Sequence, residues 1–392
     1  MSGTPLPSPP TPAEDPEQAA RDARDAGAIL TIDLAAIAEN WRTLSALAAP
    51  AECAAVVKAD AYGLGIAQVA PVLWRAGART FFVAHLNEAL TLRRLLPEAT
   101  IYALNGLLPG TAPQFAAHEI RPVLGSEPEI AEWSAACRDS GVSRPAAIHV
   151  DTGMHRLGIA LDEAVRLAET MPTLGFKPSL IMSHLACADT PGHPLTARQR
   201  LVFADVARRF PRVKASLANS AGTLMGRDFR FDLVRPGIFL YGGVAINGVP
   251  PLKPVVRLEA KVIQVLDVAR GETVGYGATE RLQRDSRLAT VHIGYADGFF
   301  RAAGSTDERK AAKAGAVAML GGQPCPLVGR ISMDLATLDI TDLPPGTVGR
   351  GDPAVFLGDG IGVDDLATAA GTIGYEVLTS LGKRYLRRYV GA

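Results

Sequence analysis

The chain has 392 residues, 48% of them hydrophobic and 20% charged, and lysine plus arginine equal aspartate plus glutamate at 40 each. That is enough apolar material for a large core and two domains, and the even balance supplies no global field to attract nucleic acid or an anionic membrane. A small molecule is the expected partner.

The first 27 residues, rich in proline, serine and charge, predict a disordered tail. They lack the basic and then apolar regions of a secretory signal, and no apolar run reaches the ~18 residues of a membrane span. A cytoplasmic location is expected. Cys53, Cys137, Cys187 and Cys325 form neither a CxxC pair nor a zinc-type spacing, so reduced core thiols and no metal centre are expected.

From Ile29 a strand and a helix (ILTIDLAAIAENWRTLSAL) precede a regular alternation. Short apolar runs follow as AAVVKA (54–59), TFFVAH (80–85), TIYALN (100–105), RPVLG (121–125), AAIHVD (146–151), LIMSHLA (180–186), KASLANS (214–220) and DLVRPGI (232–238). Between them IAQVAPVLWRAG, NEALTLRRLL, EPEIAEWSAACRDSG, ALDEAVRLAETM and LTARQRLVFADVARRF repeat apolar residues at three and four, the helical period. Strands separated by helices cannot be hairpins and must run parallel. The fold class is therefore α/β, with a (β/α)8 TIM-like barrel over residues 28–250 favoured over an open doubly wound sheet.

Beyond the linker-like VAINGVPPLKP (244–254) the rhythm changes. VVRLEAKVIQVLDV, ETVGYGA, LATVHIGYADG, GAVAMLGGQPCPLVG and DPAVFLG read as close-spaced strands. VLTSLGKRYLRRYV reads as a closing helix. Residues 251–392 are expected to be a mainly β C-terminal domain.

A barrel brings the C-terminal ends of its strands to one face, where chemistry is done. That face would receive Lys58, Arg156, His184, Asn219, Ser220, Arg235 and Gly237. Singly, each has an ordinary explanation: a lysine as a snorkelling surface charge, a serine as a helix cap. Together, several cations at one mouth repel each other unless an anion sits among them. The loops after the seventh and eighth strands of such barrels often bind phosphate. Here they carry Asn219-Ser220-Ala221-Gly222 and Arg235-Pro236-Gly237-Ile238, a hydroxyl and a glycine that admits backbone to an anion. A lysine opposite a phosphate site suggests pyridoxal phosphate, held covalently by a desolvated amine.

The segments AVVKADAYGLG, DTGMHRLG, SHLACAD, LANSAG, VRPGIFLYGG, VGYGAT, IGYADGF, VGRISMDL and GYEVLTSLGKR resemble, in number, order and spacing, those of alanine racemase, a fold type III pyridoxal 5'-phosphate enzyme. The resemblance covers about Ile29 to Tyr389. It implies that Lys58 is the Schiff-base lysine and one base, and that Tyr276 is the opposed base from the other subunit of a homodimer. Exchange of a proton from both faces requires two such groups.

In that family the tyrosine hydrogen-bonds the histidine matching His184, which contacts the arginine matching Arg235. An arginine can only donate, so the ring nitrogen it faces accepts and stays largely unprotonated. The resemblance further implies that Tyr62, Ser220, Gly237, Ile238 and Tyr375 hold the phosphate. Arg156 and the partner chain's Met333 backbone would hold the substrate carboxylate beside Asp334, and Asp189, Tyr295, Arg301 and Arg330 would line the entrance. His149 departs from the family pattern, standing where many relatives carry a carbamylated lysine. An imidazole cannot supply that carboxylate to orient Arg156, and His155 reads as a surface residue.

The activity so implied is interconversion of L- and D-alanine for peptidoglycan synthesis. A serine or broad-specificity racemase and a non-catalytic pyridoxal phosphate carrier are the alternatives. The carrier has no need for the second domain or its tyrosine.

Overall fold

A computed structural model describes residues 16–306 and 315–392. Parallel strands at Ala55–Val56, Thr80–Val83, Thr100–Ala103, Arg121–Leu124, Pro145–His149, Lys177–Met182 and Lys214–Ser216 pair in chain order. The short strand Leu233–Val234 closes the circle. Its segment takes amide hydrogen bonds from Glu52, Ala54 and Val56 on one side and donates to Ala215 and Ala218 on the other. The expected eight-stranded barrel is borne out.

Its strands are buried nearly throughout, as Thr80–Val83 is at all four positions, because helices cover the outer face while side chains fill the interior. The helix Ile66–Ala76 shows the covering pattern: Ile66, Val69, Ala70, Val72 and Leu73 are buried, one stripe at the helical period.

The second domain is built on Val256–Val268, a long strand whose first half alternates buried and half-buried positions before its second half runs to solvent. It pairs with strands Ser286–Val291 and Pro353–Leu357 and with the early strand Ala28–Asp33. The strand and helix read before the barrel thus divide their allegiance: the strand joins the second sheet, and the helix Leu34–Ala48, capped by the Asp33 carboxylate, packs on the barrel helix Ile66–Ala76.

Four local expectations are corrected. The first barrel strand stops before Lys58, which opens a tight turn instead. ETVGYGA is a single bridge at Thr273 and a 3-10 turn at Tyr276–Ala278, since three of its positions have φ above 50° and no ladder tolerates that. VLTSLGKRYLRRYV is helical only to Ser380; Leu386–Val390 is a strand, parallel to Ala28–Asp33. In the region read as a disordered tail, residues 1–15 lie outside the described residues and Pro16–Asp25 is a helix. The Lys261 ammonium binds the Ala23 and Arg24 carbonyls at its C-terminal end, where cations are favoured.

No helix among the described residues is long and apolar enough to cross a membrane, and they contain no metal-ligating cluster.

Candidate active site

Lys58 leaves the barrel strand and enters a left-handed turn. Ala59, Asp60, Ala61 and Tyr62 all have φ between 53° and 57°, followed by Gly63 at 80°. Four non-glycine residues in this region cost roughly 1–2 kcal/mol each, so other contacts must hold them. Glu88 does so: one carboxylate oxygen accepts from the Ala59 amide at 2.6 Å, the other from Ala84 and His85 at 2.8 and 3.1 Å. Asp60 accepts from Ile66 at 2.7 Å, and the Gly63 carbonyl accepts from Arg387 at 2.6 Å. The turn carries the chain abruptly away and leaves the Lys58 amine at the barrel mouth. Desolvation, then the Arg156 charge, push its pKa below the usual lysine value against the opposing pull of Glu88. A lowered pKa makes a lysine a better nucleophile near neutrality.

Tyr62, at the end of the turn, is buried and stacks on Tyr241 at 4.6 Å between centroids, with Tyr375 tilted against it at 6.1 Å. Burial raises the pKa of all three hydroxyls, that of Tyr375 to about 12, so they stay protonated donors. Below them the Gly237 amide donates to the Ser220 hydroxyl at 2.8 Å. A Cβ at Gly237 would lie 2.1 Å from the Tyr62 hydroxyl. The missing side chain is thus what lets that hydroxyl, the serine and the Gly237–Ile238 backbone share one cradle. Its donor set and open backbone fit a phosphate group.

Arg235 lies at the barrel centre, 4% exposed, with no carboxylate partner among the described residues. It donates to the Ser216 hydroxyl and to the Ser183 carbonyl at 2.6 Å, and its guanidinium carbon sits 5.9 Å from the centroid of the Phe82 ring. Burial pushes its pKa down to about 9, still a cation at neutrality. Desolvation and then Arg235 hold His149 down to about 4 and His184 well below the ordinary histidine value. Both imidazoles are therefore neutral. Arg156, on the loop after the fifth strand, is exposed and has no hydrogen bond or ion pair among the described residues. His155 is on the surface as expected, its ring 2.8 Å from the Asp151 carboxylate. The site as a whole is a lysine, two arginines and two neutral histidines around a phosphate cradle, and among the described residues neither arginine nor the lysine forms an ion pair. An anionic cofactor and a substrate carboxylate are the complement.

Comparison with known proteins gives the same reading. The family model described as alanine racemase, N-terminal domain, matches residues 32–245, and that described as alanine racemase, C-terminal domain, matches 255–389. The chain belongs to the alanine racemase family. It is 55% identical to the alanine racemase of Methylobacterium nodulans over 93% of this chain and 96% of that protein. It is 50% identical to that of Rhizobium meliloti over 92% and 96%. Among solved structures, alanine racemase from Bartonella henselae with covalently bound pyridoxal phosphate superposes with a TM-score of 0.86 at 42% identity, covering 93% of this chain and all of that one.

The remaining candidate residues of this alanine racemase family member lie on the second domain or the rim. Tyr276 is 70% exposed and Met333 53% exposed, and neither is hydrogen-bonded to a residue of the barrel mouth. Arg330 runs beside the Tyr276 turn, its guanidinium 2.7 Å from where a Gly277 Cβ would be. The Met333 carbonyl accepts from Ala296 at 2.9 Å, which fixes Tyr295 nearby. Asp334 is 2.8 Å from Arg384, and Arg301 sits in the exposed turn after Phe300. Asp189, on the barrel rim, faces Tyr375 closely enough to help raise its pKa. Among the described residues no hydrogen bond or ring contact links Tyr276 to the groups around Lys58.

Sequence reasoning passed over two positioning residues. Glu88 was read only as part of a helix, although its place three residues after His85 is a capping-box spacing. Tyr241, inside VRPGIFLYGG, donates its hydroxyl to the Val56 carbonyl at 2.9 Å while supporting the Tyr62 ring. Only its aromatic character in a glycine-flanked turn marked it.

Proposed function

We propose that this protein interconverts L- and D-alanine with pyridoxal 5'-phosphate, as a homodimer whose two sites are each completed by the other chain. The observation that supports it best is the pairing of a desolvated Lys58 with a phosphate cradle at the mouth of an alanine racemase barrel. Ser220, Tyr62, Tyr375 and the Gly237–Ile238 backbone hold the phosphate, and Lys58 anchors the cofactor. When bound, pyridoxal phosphate supplies an electron sink that acidifies the α-carbon of an attached amino acid.

The chain's own groups then do the rest. Arg156 pairs with the substrate carboxylate and fixes which faces of the α-carbon are presented. Lys58 Nζ takes or returns the α-proton on one face, and Tyr276 Oη of a second copy does so on the other. Arg235, which can only donate, would face the cofactor ring and disfavour its protonation, which would restrain transamination. Met333 and Asp334 of that second copy border the carboxylate, and Asp189, Tyr295, Arg301 and Arg330 form the entrance. The large exposed side chains of Tyr276, Met333 and Tyr295 support such an interface. The division into a barrel domain at 28–250 and a second domain at 251–392 fits these roles, one chain binding and the other completing. The D-alanine formed would feed peptidoglycan synthesis in the cytoplasm.

One mixing experiment tests the shared site. Lys58→Ala and Tyr276→Phe are each expected to be nearly inactive; after co-refolding, half the dimers are hybrids with one intact site, so about a quarter of wild-type activity returns. No recovery would show that both groups act within one chain. A panel of L-amino acids assayed for enantiomer formation separates alanine from serine or broad specificity, and a protein that binds the cofactor but racemises nothing is the carrier.

A further inference from the structure

The barrel has a second opening, at the N-terminal ends of its strands and so on the face away from Lys58. It encloses a cavity of about 660 Å³. Five cations line it: Arg79, Arg121, Lys177, Arg212 and Lys214, against a single carboxylate, Glu52. That carboxylate is already committed, to Lys214 at 2.8 Å and to the Thr80 hydroxyl at 2.5 Å. One terminal nitrogen of Arg79 donates to the Trp74 and Ala78 carbonyls, and its guanidinium lies over the Trp74 ring. Arg121, Lys177 and Arg212 have no ion pair among the described residues.

Arg121 is moreover held in place. One terminal nitrogen donates to the Tyr102 hydroxyl at 3.1 Å, and its guanidinium carbon lies 5.4 Å from the centroid of that ring. Since a guanidinium cannot accept, the Tyr102 proton goes to Ser179, 2.9 Å away, and the Ser179 proton to the Ala146 carbonyl at 3.1 Å. The chain of donors runs one way and ends on backbone. It fixes the arginine while leaving its Nε and its other terminal nitrogen without hydrogen-bond partners among the described residues. Contrast Arg93 on the same face, whose nitrogens are used on the carbonyls of Pro97, Ala99, His118 and Glu119.

We infer that this cavity is a second anion site, which takes a small phosphate ester. Three unpaired cations converging on one concave, partly desolvated space repel one another and are stabilised together by a doubly charged oxyanion. The volume exceeds what inorganic phosphate alone fills. The walls contributed by Pro145, Pro178, Leu180 and Leu233 suit an uncharged organic portion. The site uses none of the residues placed in the racemase centre, so its occupancy is read by binding rather than by turnover.

The test is calorimetric titration of the cofactor-loaded protein with glycerol 3-phosphate and, separately, inorganic phosphate at low salt. The ester is expected to bind more tightly than phosphate, both to weaken as salt rises, and Arg121→Gln/Lys177→Gln to bind the ester at least about tenfold more weakly. Arg212→Gln, exposed and free of structural contacts, should weaken binding in the same direction without altering the melting temperature. The cofactor's absorbance should not change during the titration, which excludes exchange at the Ser220 cradle. Phosphate binding as tightly as the ester would overturn the ester assignment. Absence of heat from either probe, or affinities untouched by the substitutions, would overturn the site.

Discussion

Phe82 and Tyr102 stack with centroids 5.0 Å apart and planes 12° from parallel, on adjacent barrel strands. The Arg235 guanidinium carbon lies 5.9 Å from the centroid of the first ring, and that of Arg121 5.4 Å from the centroid of the second. The two rings, paired in register on neighbouring strands, thus stand between a cation of the site and one that lines the opposite cavity. Each ring lies near a cation that has no carboxylate partner among the described residues, and the ring quadrupole is part of what makes the buried Arg235 tolerable.

Phe82→Leu removes the face from under Arg235. The lost stacking and cation contact together are worth roughly 2–3 kcal/mol, which urea denaturation should register as a lower midpoint with an unchanged slope. Phe82→Tyr should recover most of it. A leucine variant as stable as wild type would show that these ring contacts bear no energy.

Gly237→Ala places a Cβ where the Tyr62 hydroxyl now sits, and stacking against Tyr241 limits how far that ring can retreat. Overpacking of this kind costs about 1–3 kcal/mol, so the dissociation constant for pyridoxal phosphate should rise about tenfold or more while the fold survives. Adding Tyr62→Phe removes the atom that collides and should restore part of the affinity in a cofactor titration. Equal affinities for Gly237→Ala and wild type would mean the cradle is not where phosphate binds.

Glu88→Gln leaves one oxygen to do the work of two, so at least one of the Ala59, Ala84 and His85 amides loses its acceptor, at about 1–3 kcal/mol. It also deletes the negative charge that favours the protonated form of Lys58. The pKa of that amine should fall further, and the pH at which cofactor attachment becomes efficient should move down, followed by absorbance across a pH series. A shift upward, or none, would contradict the electrostatic role assigned to Glu88.

His149 is neutral in the folded chain down to about pH 4, whereas in the unfolded chain it titrates near ~6.5. Between those values the unfolded state binds the extra proton, so the stabilisation is complete above about 6.5 and is lost as pH falls toward 4. The cofactor-free protein should lose stability over that window more steeply than His149→Gln, as measured by denaturant midpoints. Because the same imidazole forms no stable carbamate, removing bicarbonate should leave activity unchanged; a carbamate mass at this residue would refute that.

Much of the barrel was legible because each strand is a short apolar run and each intervening helix a stripe of three and four. The cations at the strand ends followed from that alternation alone. What stayed hidden depends on partners far away in sequence. The left-handed turn at Ala59–Tyr62 contains three residues with no local reason to be there, and its stabilisers, Glu88 and Arg387, belong to other elements. Leu386–Val390 has arginines at two of five positions and no clear alternation; it is a strand because Ala28–Asp33 offers it an edge. The exposure of Tyr276 at its 3-10 turn is likewise invisible to spacing.

The bond from Arg387 to the Gly63 carbonyl joins residues 324 positions apart, and Tyr389 reaches the neighbouring Leu64 carbonyl in the same way. On the ribosome, at about 5–20 residues per second, Gly63 emerges roughly tens of seconds before its partner is made. Until then the strained turn beside Lys58 lacks one of its braces and Tyr62 lacks the Tyr375 ring. The full set of contacts around the lysine is thereby complete only once the last strand of the chain has been made.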